Sequence, residues 1–128
     1  MSVPRRISAV LDLASQDVEA ARTLAATSNR HAAYLCQQAA EKLIKAVLLH
    51  RGLESGTEHR LDVLVDALPD EDPWKPRLRP LDAYLPYATT YRYPTPGGRI
   101  VPPPDMARVA ADANAMEALI KEARDNLK

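Results

Sequence analysis

The residues best suited to chemistry are Tyr91-Arg92-Tyr93-Pro94 and, a few positions on, Gly97-Gly98-Arg99. An arginine between two tyrosines can stack on a base or hold a phosphate through its forked donors, which a lysine does less well. Arg99 adds a second guanidinium on a flexible hinge. The competing reading is that Arg92 pairs with a carboxylate such as Glu41 and fastens its loop to the rest of the chain. Of three histidines, His31 falls at a helix start and reads as surface, while His50 falls at a helix end, where capping explains it. His59 comes after a glycine-containing turn, and its ring can fold back onto the polar strip of the preceding helix. A structural hydrogen bond there is the first reading, ahead of a role in proton transfer. Asp70, Glu71 and Asp72 lie in a proline-bounded loop and read as solvated charge, so no metal site is expected.

These groups depend on the segment Gln37 to His50, a helix apolar on more than one side. Ala39, Leu43 and Val47 form one stripe, Cys36, Ala40, Ile44 and Leu48 a second, and Ala46 and Leu49 widen the apolar surface. Such a helix belongs in the middle of a bundle. Its polar remainder is a strip of Gln38, Glu41, Lys42 and Lys45, whose steps of three and four keep it on one side. The strip is expected to look toward the tyrosine-flanked Arg92, so that Lys42, Lys45, His59, Tyr91, Arg92, Tyr93 and Arg99 form the candidate ligand-binding set.

Composition narrows the field. At 128 residues the chain reads as one domain over 1–128. Seventeen basic residues balance seventeen acidic ones, so attraction for phosphate has to be local. The lone cysteine, Cys36, lies on the apolar side of its helix and reads as a small buried hydrophobe, which suggests a cytoplasmic address. The N-terminal stretch from Met1 to Val10 has neither a signal-peptide core nor a spanning run, and no membrane association is expected. Four of the five tyrosines, Tyr84, Tyr87, Tyr91 and Tyr93, crowd together, as a groove lining or a bundle cap would require.

Helical spacing predicts an all-α, up-and-down bundle of about five helices, three long and two short. The first spans about Arg5 to Ala26 and buries Ile7, Val10, Leu11, Ala14, Val18, Ala21, Leu24 and Ala25. Thr27, Ser28 and Asn29 supply a stop and an N-cap for a second from about Arg30 to Arg51. The third opens at Thr57 or Glu58 and ends at Pro69. The run from Pro69 to Pro76 is loop, and a fourth helix covers about Arg77 to Thr89 with a kink at Pro86. Five of the eleven prolines fall between Arg92 and Pro104 and exclude a regular element there, apart from a short extended piece at Arg99 to Val101. Asp105 caps a last helix from Met106 to Asn126, with Val109, Ala113, Met116, Leu119, Ile120 and Ala123 inward.

Taken in order, Gln38-Ala39-Ala40-Glu41-Lys42, Lys45-Ala46, His59 with Leu61 and Leu64, and Tyr91-Arg92-Tyr93-Pro94 resemble the HEPN family, the higher eukaryotes and prokaryotes nucleotide-binding domains. The resemblance covers nearly the whole chain. It implies a five-helix bundle, a homodimer, and pairing with a small nucleotidyltransferase of the toxin-antitoxin kind. Many members are metal-independent ribonucleases with an Arg and a His four to six residues apart near the last helix. Here no histidine comes after Arg92 or Arg99, and Arg51 and His59 span a different turn. Without an imidazole at that position the general-base role has no owner, and no catalytic residue and no cofactor are assigned. The expected function is therefore that of a nucleotide- or short-RNA-binding module. The alternatives are a pure interaction module, or a ribonuclease whose atypical site uses His59 and Arg92.

Overall fold

The computed structural model describes residues 3–127, with Met1, Ser2 and Lys128 outside the described residues. Among those described there is no strand. The elements are α1 (Val3–Ala26), α2 (His31–His50), α3 (Leu61–Asp66), α4 (Lys75–Leu78), a 3₁₀ segment (Arg79–Ala88) and α5 (Met106–Asn126). The all-α bundle expected from the spacing is what forms.

On α1 the buried residues are Ile7, Leu11, Ala14, Val18, Ala21 and Ala25, alternating steps of four and three that keep one stripe on the neighbours. Val10 and Leu24 flank that stripe and are only partly buried. Twelve of the twenty residues of α2 are buried, which is why it packs against α1, α5, α3 and the 3₁₀ segment together. Five of the twelve are alanines, and so small a surface lets neighbouring helices approach closely. On α5, Val109, Ala113, Met116, Ile120 and Ala123 are buried, while Leu119 stays at the margin.

The ends of the helices obey local chemistry. After α1 the Asn29 N–H reaches Leu24 O at 2.9 Å and the Ser28 N–H reaches Ala25 O at 3.0 Å, with Ser28 in the left-handed region at φ 57°. The Asn29 side chain then accepts from the His31 N–H at 2.9 Å and starts α2. After α2 the same closing pattern recurs, Leu53 N–H to Leu48 O and Gly52 N–H to Leu49 O, now with Gly52 at φ 73°. Asp105 caps α5 by accepting from the Ala107 N–H at 3.0 Å, as its position before the apolar run implies.

Two helix boundaries are corrected. The helix expected over Arg77 to Thr89 is instead the four-residue α4, beginning inside the expected loop, and then ten residues of 3₁₀ helix. Pro80 and Pro86 each lack an N–H and crowd the carbonyl four residues back, so the tighter winding wins. The third helix opens at Leu61 and not at Thr57 or Glu58, because Gly52 and Gly56, both at positive φ, keep the connection irregular up to Arg60. The expected extended piece at Arg99 to Val101 begins where a turn closes, Thr95 N–H donating to Arg99 O and Gly98 N–H to Thr95 O, both at 2.8 Å, and it carries no strand.

Candidate functional site

One face of α2 carries Tyr34, Gln37, Gln38 and Glu41, spaced three, one and three apart. Opposite it stand His59 and Arg60 from the connection into α3, the end of the 3₁₀ segment at Leu85, Ala88 and Thr89, and Arg92. Between them lies an open cleft of about 610 Å³. The fold thus brings Gln38, Glu41, His59 and Arg92 onto one surface.

Arg92 is held by aromatic rings. Its guanidinium carbon lies 3.9 Å from the Tyr34 ring centroid and 5.2 Å from that of Tyr93, and its Nη1 donates to Ala88 O at 3.0 Å. No carboxylate pairs with it among the described residues, so the alternative in which Glu41 fastens it does not occur. Tyr91, the other sequence neighbour, turns inward and meets Tyr87 edge-on at 5.5 Å, and Tyr87 in turn stacks on Tyr84 at 5.7 Å. Tyr93 is 60 % exposed and remains open to a ligand. On the far side of Arg92 a smaller hollow of about 190 Å³ is lined by Arg30, His31, Tyr91, Arg92 and Tyr93. Arg99 lies beyond it on the Thr95–Arg99 turn, its backbone N–H donating to Thr95 Oγ1 at 3.0 Å.

Glu41 is the hub of the opposite wall. Its Oε2 faces His59 Nδ1 at 3.0 Å and Lys45 Nζ at 3.4 Å, while its Oε1 takes only a 3.5 Å contact from Gln37 Nε2. A carboxylate can only accept, so His59 Nδ1 donates to it from a ring that is otherwise largely exposed. Gln38 Nε2 donates to Gln37 Oε1 at 2.8 Å. Lys42, expected on the same strip, rotates to the α1 side and pairs with Asp17 at 2.5 Å. Lys45 stays on the strip, tied to Glu41, and is not part of the cleft lining.

Beneath the site, Asp112 of α5 faces the tyrosine ladder. Burial raises its carboxyl above the ordinary range, and the Tyr84 hydrogen bond and the Arg108 charge pull the other way. Burial and, after it, the Asp112 charge raise the Tyr84 and Tyr87 phenols, so both stay protonated. The same two causes push the Cys36 thiol up to about 12, which leaves it an unreactive core group. No group of three His, Cys, Asp or Glu side chains able to hold a metal ion occurs among the described residues.

Sequence reasoning missed Gln37 and Arg60 of the lining and, most consequentially, Tyr34. The signal was available: four before Gln38 and seven before Glu41, it continues the polar strip by one more turn. A family model described as HEPN domain matches residues 7–128. Searches against curated proteins and against solved structures return no match.

Proposed function

The chain belongs to the HEPN domain family, and from that premise we propose that it is a binding module for a nucleotide or a short single strand of RNA. Arg92 carries this reading. It is a guanidinium clamped between Tyr34 and Tyr93 with its charge uncompensated, at the mouth of a cleft large enough for a nucleotide. Stacking holds the fork rigid, so a phosphate can be taken with little loss of side-chain freedom, and on the far side of Arg92 the exposed Tyr93 ring can stack on a second base of a short strand. An overall charge near zero favours a small ligand or a short strand over a duplex, which would demand a broad basic face. In line with the family, the protein acts as a homodimer beside a small nucleotidyltransferase, and co-purification with such an enzyme tests that part.

The test is a titration of labelled nucleotides and a short RNA against the wild type, Arg92→Ala and His59→Ala. The expected loss for Arg92→Ala is roughly 10- to 100-fold, from one charge-assisted hydrogen bond and a stacked cation. Binding unaffected by both substitutions removes the proposed cleft. A second reading rests on Glu41 and His59, since a carboxylate that accepts from an imidazole Nδ1–H orients the ring as in a general base. RNA cleavage abolished by His59→Ala would establish it.

A further inference from the structure

We infer that the floor of this cleft selects a base whose edge presents two neighbouring donors, so that the preferred ligand is a guanine nucleotide. The inference rests on the nucleotide-binding reading and deepens it. Among the acceptors left on the lining are two side-chain oxygens three residues apart on α2. Glu41 Oε1 receives only the long 3.5 Å contact from Gln37, since His59 and Lys45 both lie on Oε2. Gln38 spends its N–H on Gln37, and its own carbonyl oxygen takes no hydrogen bond among the described residues. Their positions, three apart on α2, put both acceptors on the same face one turn apart.

One cation at the end away from Glu41, Arg92, sets the polarity of the site. Arg60 gives Nε and Nη2 to Asp62 at 3.2 and 2.9 Å, so within the lining Arg92 is the guanidinium without a carboxylate. Arg92 stacks on Tyr34, which precedes Glu41 by seven residues, about 10.5 Å along the helix. That span suits a nucleoside monophosphate lying along α2, with phosphate at Arg92 and base edge at Gln38 and Glu41. A phosphate placed the other way round would face a carboxylate.

The identity of the base comes from its donor pattern. Guanine carries N1–H and N2–H₂ side by side. Adenine and cytosine each offer one amino group beside a ring-nitrogen acceptor, and uracil offers one N–H flanked by two carbonyls. Two protein acceptors therefore match guanine, leave one clash with adenine or cytosine, and reject uracil, whose carbonyls would meet a carboxylate.

The experiment is calorimetric titration of the full-length protein with GMP, IMP, AMP, CMP and UMP, repeated with Glu41→Gln and Gln38→Leu. GMP is expected to bind roughly 10- to 100-fold more tightly than UMP, the discrimination of one good bidentate pair. IMP, which lacks only the N2 amino group, should fall several-fold below GMP. Glu41→Gln should shrink the GMP preference, and if it lowers the thermal midpoint, Gln38→Leu, which removes one acceptor without touching the His59 contact, should still narrow it. All five nucleotides binding alike, with binding lost in Arg92→Ala, would overturn the guanine assignment and leave the nucleotide reading standing. No binding by any of them would overturn both.

Discussion

The two ends of α2 both carry arginines, yet they treat them in opposite ways. At the C-terminal end Arg51 grips Asp72 at 2.7 and 3.2 Å, and Asp72 also accepts the Trp74 N–H at 2.9 Å. Nearby, Lys75 reaches both Asp70 and Leu68 O. At the N-terminal end Arg30 and Arg92 donate only to backbone carbonyls, Val101 O at 2.7 Å and Ala88 O at 3.0 Å. A carbonyl orients a guanidinium without cancelling its charge. One end is therefore cross-linked and neutralised, and the other is positioned and left electrostatically open, which is how a fold distinguishes a joint from a receptor.

The comparison is tested most severely by exchanging readouts between the ends. Arg92→Ala should cost at least about tenfold in ligand affinity while lowering stability by less than about 1 kcal/mol, since its packing is an exposed stack. Asp72→Ala should lower stability by about 1–2 kcal/mol, allowing for the partly exposed Arg51, and leave affinity unchanged. Denaturant melts alongside titration separate the two, and a binding defect in Asp72→Ala would erase the distinction.

Acidity gives a medium-sized test. The Arg51 hydrogen bond holds the Asp72 carboxyl below its ordinary range, against the effect of burial. Its stabilising contribution is thus complete above about pH 4 and is lost as pH falls through the depressed folded value. Asp112 has the opposite sign. Burial raises it, so the folded state holds its proton longer than the unfolded chain, and stability declines as pH rises from about 4 through the raised value. Melting as a function of pH should show a shallower acid limb in Asp72→Asn and greater stability at pH 7 in Asp112→Asn.

The smallest expected effect compares the two closing turns. Ser28 and Gly52 occupy the same left-handed position after α1 and α2, and a Cβ on Gly52 would meet nothing within 4 Å. Ser28→Gly should therefore stabilise by a few tenths to about 1 kcal/mol, and Gly52→Ala should destabilise by a similar amount through backbone strain alone. Thermal midpoints moving the same way in both would show that side-chain contacts, and not φ, govern these turns.

Much of this was legible in the chain itself, for identifiable reasons. Asp105, the stripe of α1 and the many-sided apolar surface of α2 act locally, so spacing and capping reveal them. His59 against Glu41 was legible because a glycine turn leaves little choice of where the ring can go. Tyr34 was overlooked because its partner, Arg92, is 58 positions away, and only the packing of the 3₁₀ segment against α2 brings them together. Lys42 illustrates the converse: strip spacing assigned it to the cleft, but Asp17 on α1 sits nearer. The 3₁₀ winding of Arg79–Ala88 was hidden because helical spacing and repeated proline pull in different directions, and their balance is set by contacts with α2 and α3.

Trp74 is the sole tryptophan, 6 % exposed, its ring under the Arg77 guanidinium at 4.7 Å and its backbone N–H tied to Asp72. Its emission is consequently a fluorescent witness to the cross-linked end alone. A ligand entering near Tyr34 should leave that signal steady, whereas loss of the Asp72 clamp should shift it to longer wavelength. Nature has in effect labelled the joint and left the receptor dark.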